Sequence, residues 1–376
     1  MQFVCKSKKL KNSISLVEKA VSQKSSLPVL ENIYLELKNE VLKLRANNLE
    51  IGIENDLKLE KAEQDGSVLV KAKTLSGIIS KIDDEEITFS VDENQSLAIK
   101  GAKVGFDILG SNAQDYPVFP VVDEGISLSV NSEELKELIK HTIISVSYDE
   151  TKQFLNGILV KNEQDKLSFV ATDGYRLALK NCFMQPLEKS FSTIIPHKAV
   201  NELNRVLQLL ESEKKVDIII SESQVAFKID SFLLITRVIQ GQFPDYNQVI
   251  PKEIKNCFKV NRTAFLAAAE RASIVSSASN NVVRFLFDQE NVTILANAKG
   301  FGDFKESLAI ERKEGTEELK IAFNIRLLLD VVKTISTDTL LVSFNNELSP
   351  CKITLENDDT FTYIIMPIRT TDYHNE

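Results

Sequence analysis

The 376-residue chain has no tryptophan, three histidines, three methionines and four cysteines. Cys5, Cys182, Cys257 and Cys351 lie far apart, with no CxxC or Cys/His spacing, which argues against a disulfide framework or a zinc site. They read as reduced core residues of a cytoplasmic protein. No apolar run reaches the roughly 18 residues a membrane span needs, and the start MQFVCKSKKL lacks the apolar centre of a signal peptide. Neither targeting nor a membrane partner is expected. Catalytic signatures are missing too: there is no GxxxxGK[ST], no GxGxxG after a strand, no HExxH and no GxSxG. His141, His197 and His374 have no cysteine or paired carboxylate in register, so structural or electrostatic roles are expected of them. The run Asp83-Asp84-Glu85-Glu86 reads as a solvated turn. The expectation is therefore no enzyme, no cofactor and no metal.

What is present is a repeat. Phe3–Leu10, Leu128–Leu135 and Phe258–Phe265 share one pattern, a short strand running into a helix. Ala46, Ala171 and Ala296 close similar apolar segments and stand 125 residues apart both times. A third landmark recurs at Leu69–Lys73, Ile194–Lys198 and Ile321–Ile325, each followed by a helical apolar pattern. Solenoid repeats run about 20 to 50 residues, so a period near 125 is the size of a domain. Proline-bearing joints at Asp115–Pro120 and Phe243–Pro251 fall where the period puts them. Three similar domains are expected, at 1–122, 123–253 and 254–376.

Within the first copy, Leu10, Ile14, Val17 and Val21 are spaced for one buried helical stripe, and Leu75, Ile78, Ile79 and Ile82 form another. Between and after them, alternations such as Ile33, Leu35, Leu37 and Leu42, Leu44, Ala46 read as antiparallel strands. Each domain is thus two helix-plus-antiparallel-sheet halves, making an α+β chain of six half-repeats.

The net charge is −9, which speaks against a protein coated with basic surface. Split by element it looks different. The six expected helices sum to +9, with +4 over residues 7–24 and +3 over 71–82, leaving −18 for the remainder. Lysines on exposed helices are commonly just solvated. If the helices share one surface, however, they present hydrated point charges suited to loose, salt-sensitive phosphate contact.

Phe154-Leu155-Asn156-Gly157-Ile158, Val170–Ala178, Gly241–Tyr246, Leu27-Pro28-Val29-Leu30 and Tyr363–Arg369 together resemble the bacterial DNA polymerase III beta subunit, the sliding clamp family. The resemblance covers essentially the whole chain. It implies a clamp fold closed as a head-to-tail homodimeric ring, with helices lining a hole that encircles double-stranded DNA without reading its sequence. It also implies a replication processivity factor whose partners are the replicative polymerase, the clamp loader, and other polymerases and repair proteins carrying short peptides. Lys24, Lys73 and Lys198 match DNA-facing positions. Lys81, Lys152 and Arg205 are added from helix position and charge, and His197 stands where arginine is frequent. Phe106, Ile108, Ile274 and Val275 match the dimer interface, with Lys103 set to pair with acids such as Asp303 or Glu306. The peptide cleft is implied at Leu155, Thr172, Gly174, Tyr175, Arg176, Leu177, Pro244, Gln248, Val249, Ile364, Ile365, Met366, Pro367, Ile368 and Arg369. Tyr175 and Gln248 replace the family's frequent histidine and arginine, and Thr370–Glu376 runs on where many relatives stop. Two competing readings are a non-ring acidic scaffold with solvated basic helices and a hydrolase using Asp173, Arg176 or His197.

Overall fold

Strand runs into helix at each of the six places the repeat marks. The computed structural model of the chain describes residues 1–22, 26–316 and 318–370. Its helices are α1 (Ser7–Val17), α2 (Ala72–Ile79), α3 (Ser132–Thr142), α4 (His197–Gln208), α5 (Arg262–Ser276) and α6 (Ile325–Thr334). Asparagine caps explain three of these starts: Asn131, Asn261 and Asn324 each accept a backbone N–H from the first turn at 2.8–3.0 Å. Leu10, Ile14 and Val17 are buried along α1 as spaced. Val21 is not part of that stripe, because a 3-10 turn at Glu18–Ala20 ends the helix and Val21 is extended. Ile82 likewise lies beyond α2, yet is buried. The strand Lys61–Gln64, largely exposed, has no alternation by which it could have been read.

The chain forms two compact units, Met1–Glu133 with Lys198–Val238, and Glu134–His197 with Ile239–Glu376. Strand pairing gives the reason. In the first unit an eight-stranded antiparallel sheet has the order 126–131, 215–220, 224–229, 232–237, 51–58, 41–47, 32–38, 66–71. Its seam pairs Ile51 with Thr236 and Asn55 with Phe232, so the second half of the middle repeat continues the first repeat's sheet. A five-stranded sheet, 61–64, 2–6, 86–91, 96–100, 105–109, completes this unit. In the second unit one twelve-stranded sheet joins the first half of the middle repeat to the third repeat through Arg176–Phe183 and Asp358–Ile365. Each unit thus holds one whole repeat and half of the middle one.

The cores are aliphatic and phenylalanine-rich. Phe258, Phe285, Phe287 and Phe344 are at most 2 % exposed, with Phe258 and Phe287 ring centroids 4.5 Å apart. Offset and tilted rings at such distances add to the burial of their area. Ala46, Ala171 and Ala296 are all buried at equivalent strand positions, which is why the repeat preserved them. The cysteines are free, and burial pushes the Cys5 and Cys182 thiols up to about 12, leaving little thiolate at neutral pH.

One buried polar contact gives the second unit a pH dependence. His141 on α3 is 3 % exposed, its Nδ1 3.0 Å from Thr334 Oγ1 and its Nε2 3.1 Å from Glu137 Oε2. Burial, aided by Lys180 and Lys140 and opposed by Glu137, pushes the imidazole from 6.5 down to about 4. The folded state therefore holds fewer protons than the unfolded state between those values. Stability falls as pH drops through that window and levels off below it, a loss on the order of 3 kcal/mol. Urea midpoints at pH 7 and 4.5 are expected to show this difference, and His141→Gln to reduce it; an unchanged pH slope in the variant would assign the effect elsewhere.

Candidate functional site

The strand–turn–strand at Lys166–Phe183 builds the principal site. Its turn is ordered locally: Thr172 Oγ1 accepts the Gly174 N–H at 3.1 Å, and Asp173 Oδ1 accepts the N–H groups of Tyr175 and Arg176 at 2.9 and 3.1 Å. Gly174 takes φ +93°, a left-handed conformation glycine adopts without a Cβ penalty. The turn thereby lifts Tyr175 into solvent, 70 % exposed, while Leu177 behind it pairs with Ile364 and is buried.

Around this turn lies a cavity of about 170 Å³ lined by Leu155, Thr172, Gly174, Tyr175, Arg176, Leu177, Pro244, Val249, Ile364 and Met366. All ten were expected there; Asp245 and Tyr246 complete the lining without having been singled out, although both stand in the Gly241–Tyr246 motif. Five expected residues lie elsewhere. Ile365 points to the opposite face of its strand and belongs to the third repeat's core, as the two-residue strand period requires. The Ile368 N–H donates to the Ala322 carbonyl at 2.8 Å, so the chain beyond Met366 is drawn away; Pro367 is half-buried and Arg369 exposed. Gln248 is on the outer rim, its Nε2 donating to Asp245 Oδ2 at 3.2 Å.

Charge in the cleft is locked. Arg176, 10 % exposed at its side chain, donates Nε to Asp173 at 2.9 Å and Nη1 to Asp330 of α6 at 2.6 Å. Burial alone would lower this guanidinium; Tyr363, Asp330 and Asp173 reverse that and hold it above its usual range. Asp173 is engaged by the turn and Arg176 by two carboxylates. Bonds from Gln248 and Asn247 hold the Asp245 carboxyl below its usual range. The arrangement is an apolar floor with a small polar rim, suited to a short segment carrying bulky apolar side chains.

The first unit gathers the basic helices. A depression of about 660 Å³ is lined by Lys19, Lys71, Lys73 and Arg205 from α1, α2 and α4 and their approaches, alternating with Glu18, Glu31 and Glu202. Lys73, Lys81, Lys198 and Arg205 are all exposed. Arg205 sits 3.1 Å from Glu202, and Lys198 3.8 Å from Glu50. Such exposed pairs contribute little to stability, so the cations remain available to a polyanion. Lys24 lies outside the described residues, as do 371–376 of the C-terminal tail. In the second unit Lys152 is exposed on a 3-10 turn, and His197 opens α4 with Nδ1 2.7 Å from the Asn156 carbonyl. Its ring meets Tyr148, 69 % exposed, edge-on at 4.9 Å, an aromatic neighbour with no sequence signal.

The expected interface residues occupy two edges. Phe106 and Ile108 are half-buried on Gly105–Leu109, the last strand of the five-stranded sheet, with Leu109 84 % exposed beside them. Lys103 is exposed in the preceding turn. Ile274 is 63 % exposed on α5, and Val275 packs partly on the core. The strand Gly302–Glu314 pairs over 302–309 on one side and only over 310–314 on the other. Glu306 is already held by Arg271 at 2.5 Å, and Asp303 accepts from Asn297.

Six strand–helix halves thus carry one apolar cleft with a polar rim and a set of exposed basic residues on and beside the helices. Models described as the DNA polymerase III beta subunit N-terminal, central and C-terminal domains match residues 1–120, 129–245 and 247–369. The beta sliding clamp of Bacillus subtilis is 32% identical over 98% of this chain and 100% of its own length, and that of Synechococcus elongatus 31% over 98% and 99%. The crystal structure of the Bacillus subtilis clamp superposes with TM-score 0.93 at 31% identity, over 98% of this chain and 99% of that one. A Pseudomonas aeruginosa clamp bound to griselimycin gives 0.92 at 27%, over 98% and 100%. The chain belongs to the DNA polymerase III beta subunit family. Among the described residues no helix is long and apolar enough to cross a membrane, and no three acidic, histidine or cysteine side chains are placed to hold a metal.

Proposed function

We propose that two copies of this chain close head to tail into a ring around duplex DNA, and that the ring serves as a replication processivity clamp in the cytoplasm. The likeness in sequence and fold to sliding clamps over 98% of the chain carries this reading. The chain acts without catalysis of its own, with domains at 1–122, 123–253 and 254–376. Ring closure adds the free edge of 105–109 in one copy to the free edge of 302–309 in the next, a heterologous contact whose rotation closes. Ile274 and Leu109 then become buried, and Lys103 meets Asp303.

Lys73, Lys81, Lys198 and Arg205, with Lys152 and His197, face the DNA. A closed ring retains DNA by topology, so these contacts need only weak, screened attraction to phosphates and leave the ring free to slide. The cleft holds short apolar peptides of the replicative polymerase, the clamp loader and other DNA enzymes. Its exposed Met366 repacks easily, which suits several related sequences.

Retention on DNA tests the ring. After loading on a nicked circle the protein is expected to co-elute with the DNA by gel filtration, and to be released once the circle is linearised. Equal retention on circular and linear forms would refute topological holding.

A further inference from the structure

The cleft's scaffold occurs twice in this chain, and the second copy is occupied by the chain itself. In the second unit Thr172 pairs with Leu177, and Leu177 with Ile364. In the first unit, 125 residues earlier, Asn47 pairs with Gly52, and Gly52 with Ile235. The turns match in detail. Asn47 Oδ1 accepts the Leu49 N–H at 2.7 Å, as Thr172 accepts Gly174, and Leu49 has φ +73° where Gly174 has +93°. The two linkers also leave their domains alike, through the bridges Leu69–Ser111 and Ile194–Ile239.

The difference is what lies over the floor. Leu177 borders an open cavity, whereas at Gly52 an added Cβ would stand 2.9 Å from Pro120 Cγ and 3.1 Å from the Phe119 ring. Phe119 is 9 % exposed, packs with Ile235 and Ala226, and carries the Arg45 guanidinium 5.2 Å from its centroid. Tyr116 ties the linker down, its hydroxyl accepting the Asn47 N–H at 2.8 Å. Phe119 thus sits on Ile235 as an incoming side chain would sit on Ile364.

We propose that the turn at Asn47–Gly52 with Ile235 is a second, latent cleft whose built-in occupant is the chain's own linker, anchored by Phe119. The inference rests on the reading of the open cavity as a peptide site. The glycine at 52 is what admits the linker, and the occupied copy shows the class of ligand the scaffold takes: an extended segment with an aromatic anchor beside proline.

The test is isothermal titration with a synthetic peptide of residues 115–122, DYPVFPVV. Phe119→Ala is expected to bind one more molar equivalent per chain than wild type, and to keep that extra equivalent when Met366→Ala is added. Adding Gly52→Ala to Phe119→Ala, which puts a Cβ where any segment seated like the linker must lie, is expected to remove that extra equivalent again. Equal stoichiometry in wild type and Phe119→Ala, or an extra equivalent that survives Gly52→Ala, with circular dichroism showing the variants folded, would overturn the proposal. Failure of the open-cleft reading would appear separately, as a wild-type chain that binds no peptide from a partner polymerase, and would leave the wild-type-to-variant difference to be read on its own.

Discussion

A chain carrying Leu109→Asp and Ile274→Asp is expected to sediment as a monomer at concentrations where the wild type is a dimer, and to be lost from nicked circular DNA. Both side chains are exposed in the single chain, Leu109 at 84 % and Ile274 at 63 %, so neither substitution disturbs the fold. In the proposed ring each would place an unpaired carboxylate in an apolar contact, and burying an unpaired charge costs several kcal/mol. Even about 4 kcal/mol for the pair raises the dimer dissociation constant roughly 1,000-fold. Analytical ultracentrifugation over a concentration series measures this. An unshifted dimer would place the interface elsewhere, while a monomer still held on circular DNA would separate ring closure from retention.

The second large effect is expected in the cleft. Met366→Ala removes a side chain 38 % exposed at the cavity lip, and Leu177→Ala one that is 3 % exposed at its floor. Met366 still has surface to bury against a peptide, and its loss forfeits about 1–1.5 kcal/mol of apolar burial, an affinity loss of roughly 5- to 10-fold, whereas Leu177 is already buried and its truncation weakens binding by deforming the floor. Their stabilities should diverge. Leu177 packs with Leu159, Val170, Ile194 and Ile364, so its truncation also lowers unfolding free energy by about 2–5 kcal/mol, whereas Met366→Ala leaves the melting temperature nearly unchanged. Fluorescence polarisation with a partner polymerase's peptide, alongside thermal melts, reads both. Full affinity in the Met366→Ala chain would remove the cavity from the peptide path.

Fold and site were not equally legible in the residues. The strand-to-helix joints carried local signals, because asparagine caps and alternating apolar residues act within a few positions of themselves. The end of α1 was less visible: Val21 continues the helical spacing, but the chain leaves helical geometry after Ala20. In the cleft, the motif at Thr172–Leu177 encodes its own turn through hydrogen bonds two to four residues apart. Ile364 and Ile365 are alike as letters; pairing with Leu177 on one strand decides which of them faces the cavity. Tyr148 became part of the His197 surroundings only through folding, since the two are 49 residues apart in the chain.

The sequence alone determined that this is three copies of one domain, with six expected helices that together sum to +9 on a chain of −9. Periodicity and formal charge are additive along the chain, so they survive without coordinates. Only the tertiary structure decided that the middle repeat is divided between two sheets, that Arg176 is neutralised by Asp330, and that Phe119 fills one copy of a scaffold whose other copy is open. Those outcomes depend on which strand edges pair and on distances of 3 Å between residues far apart in sequence, for which a linear pattern carries no term.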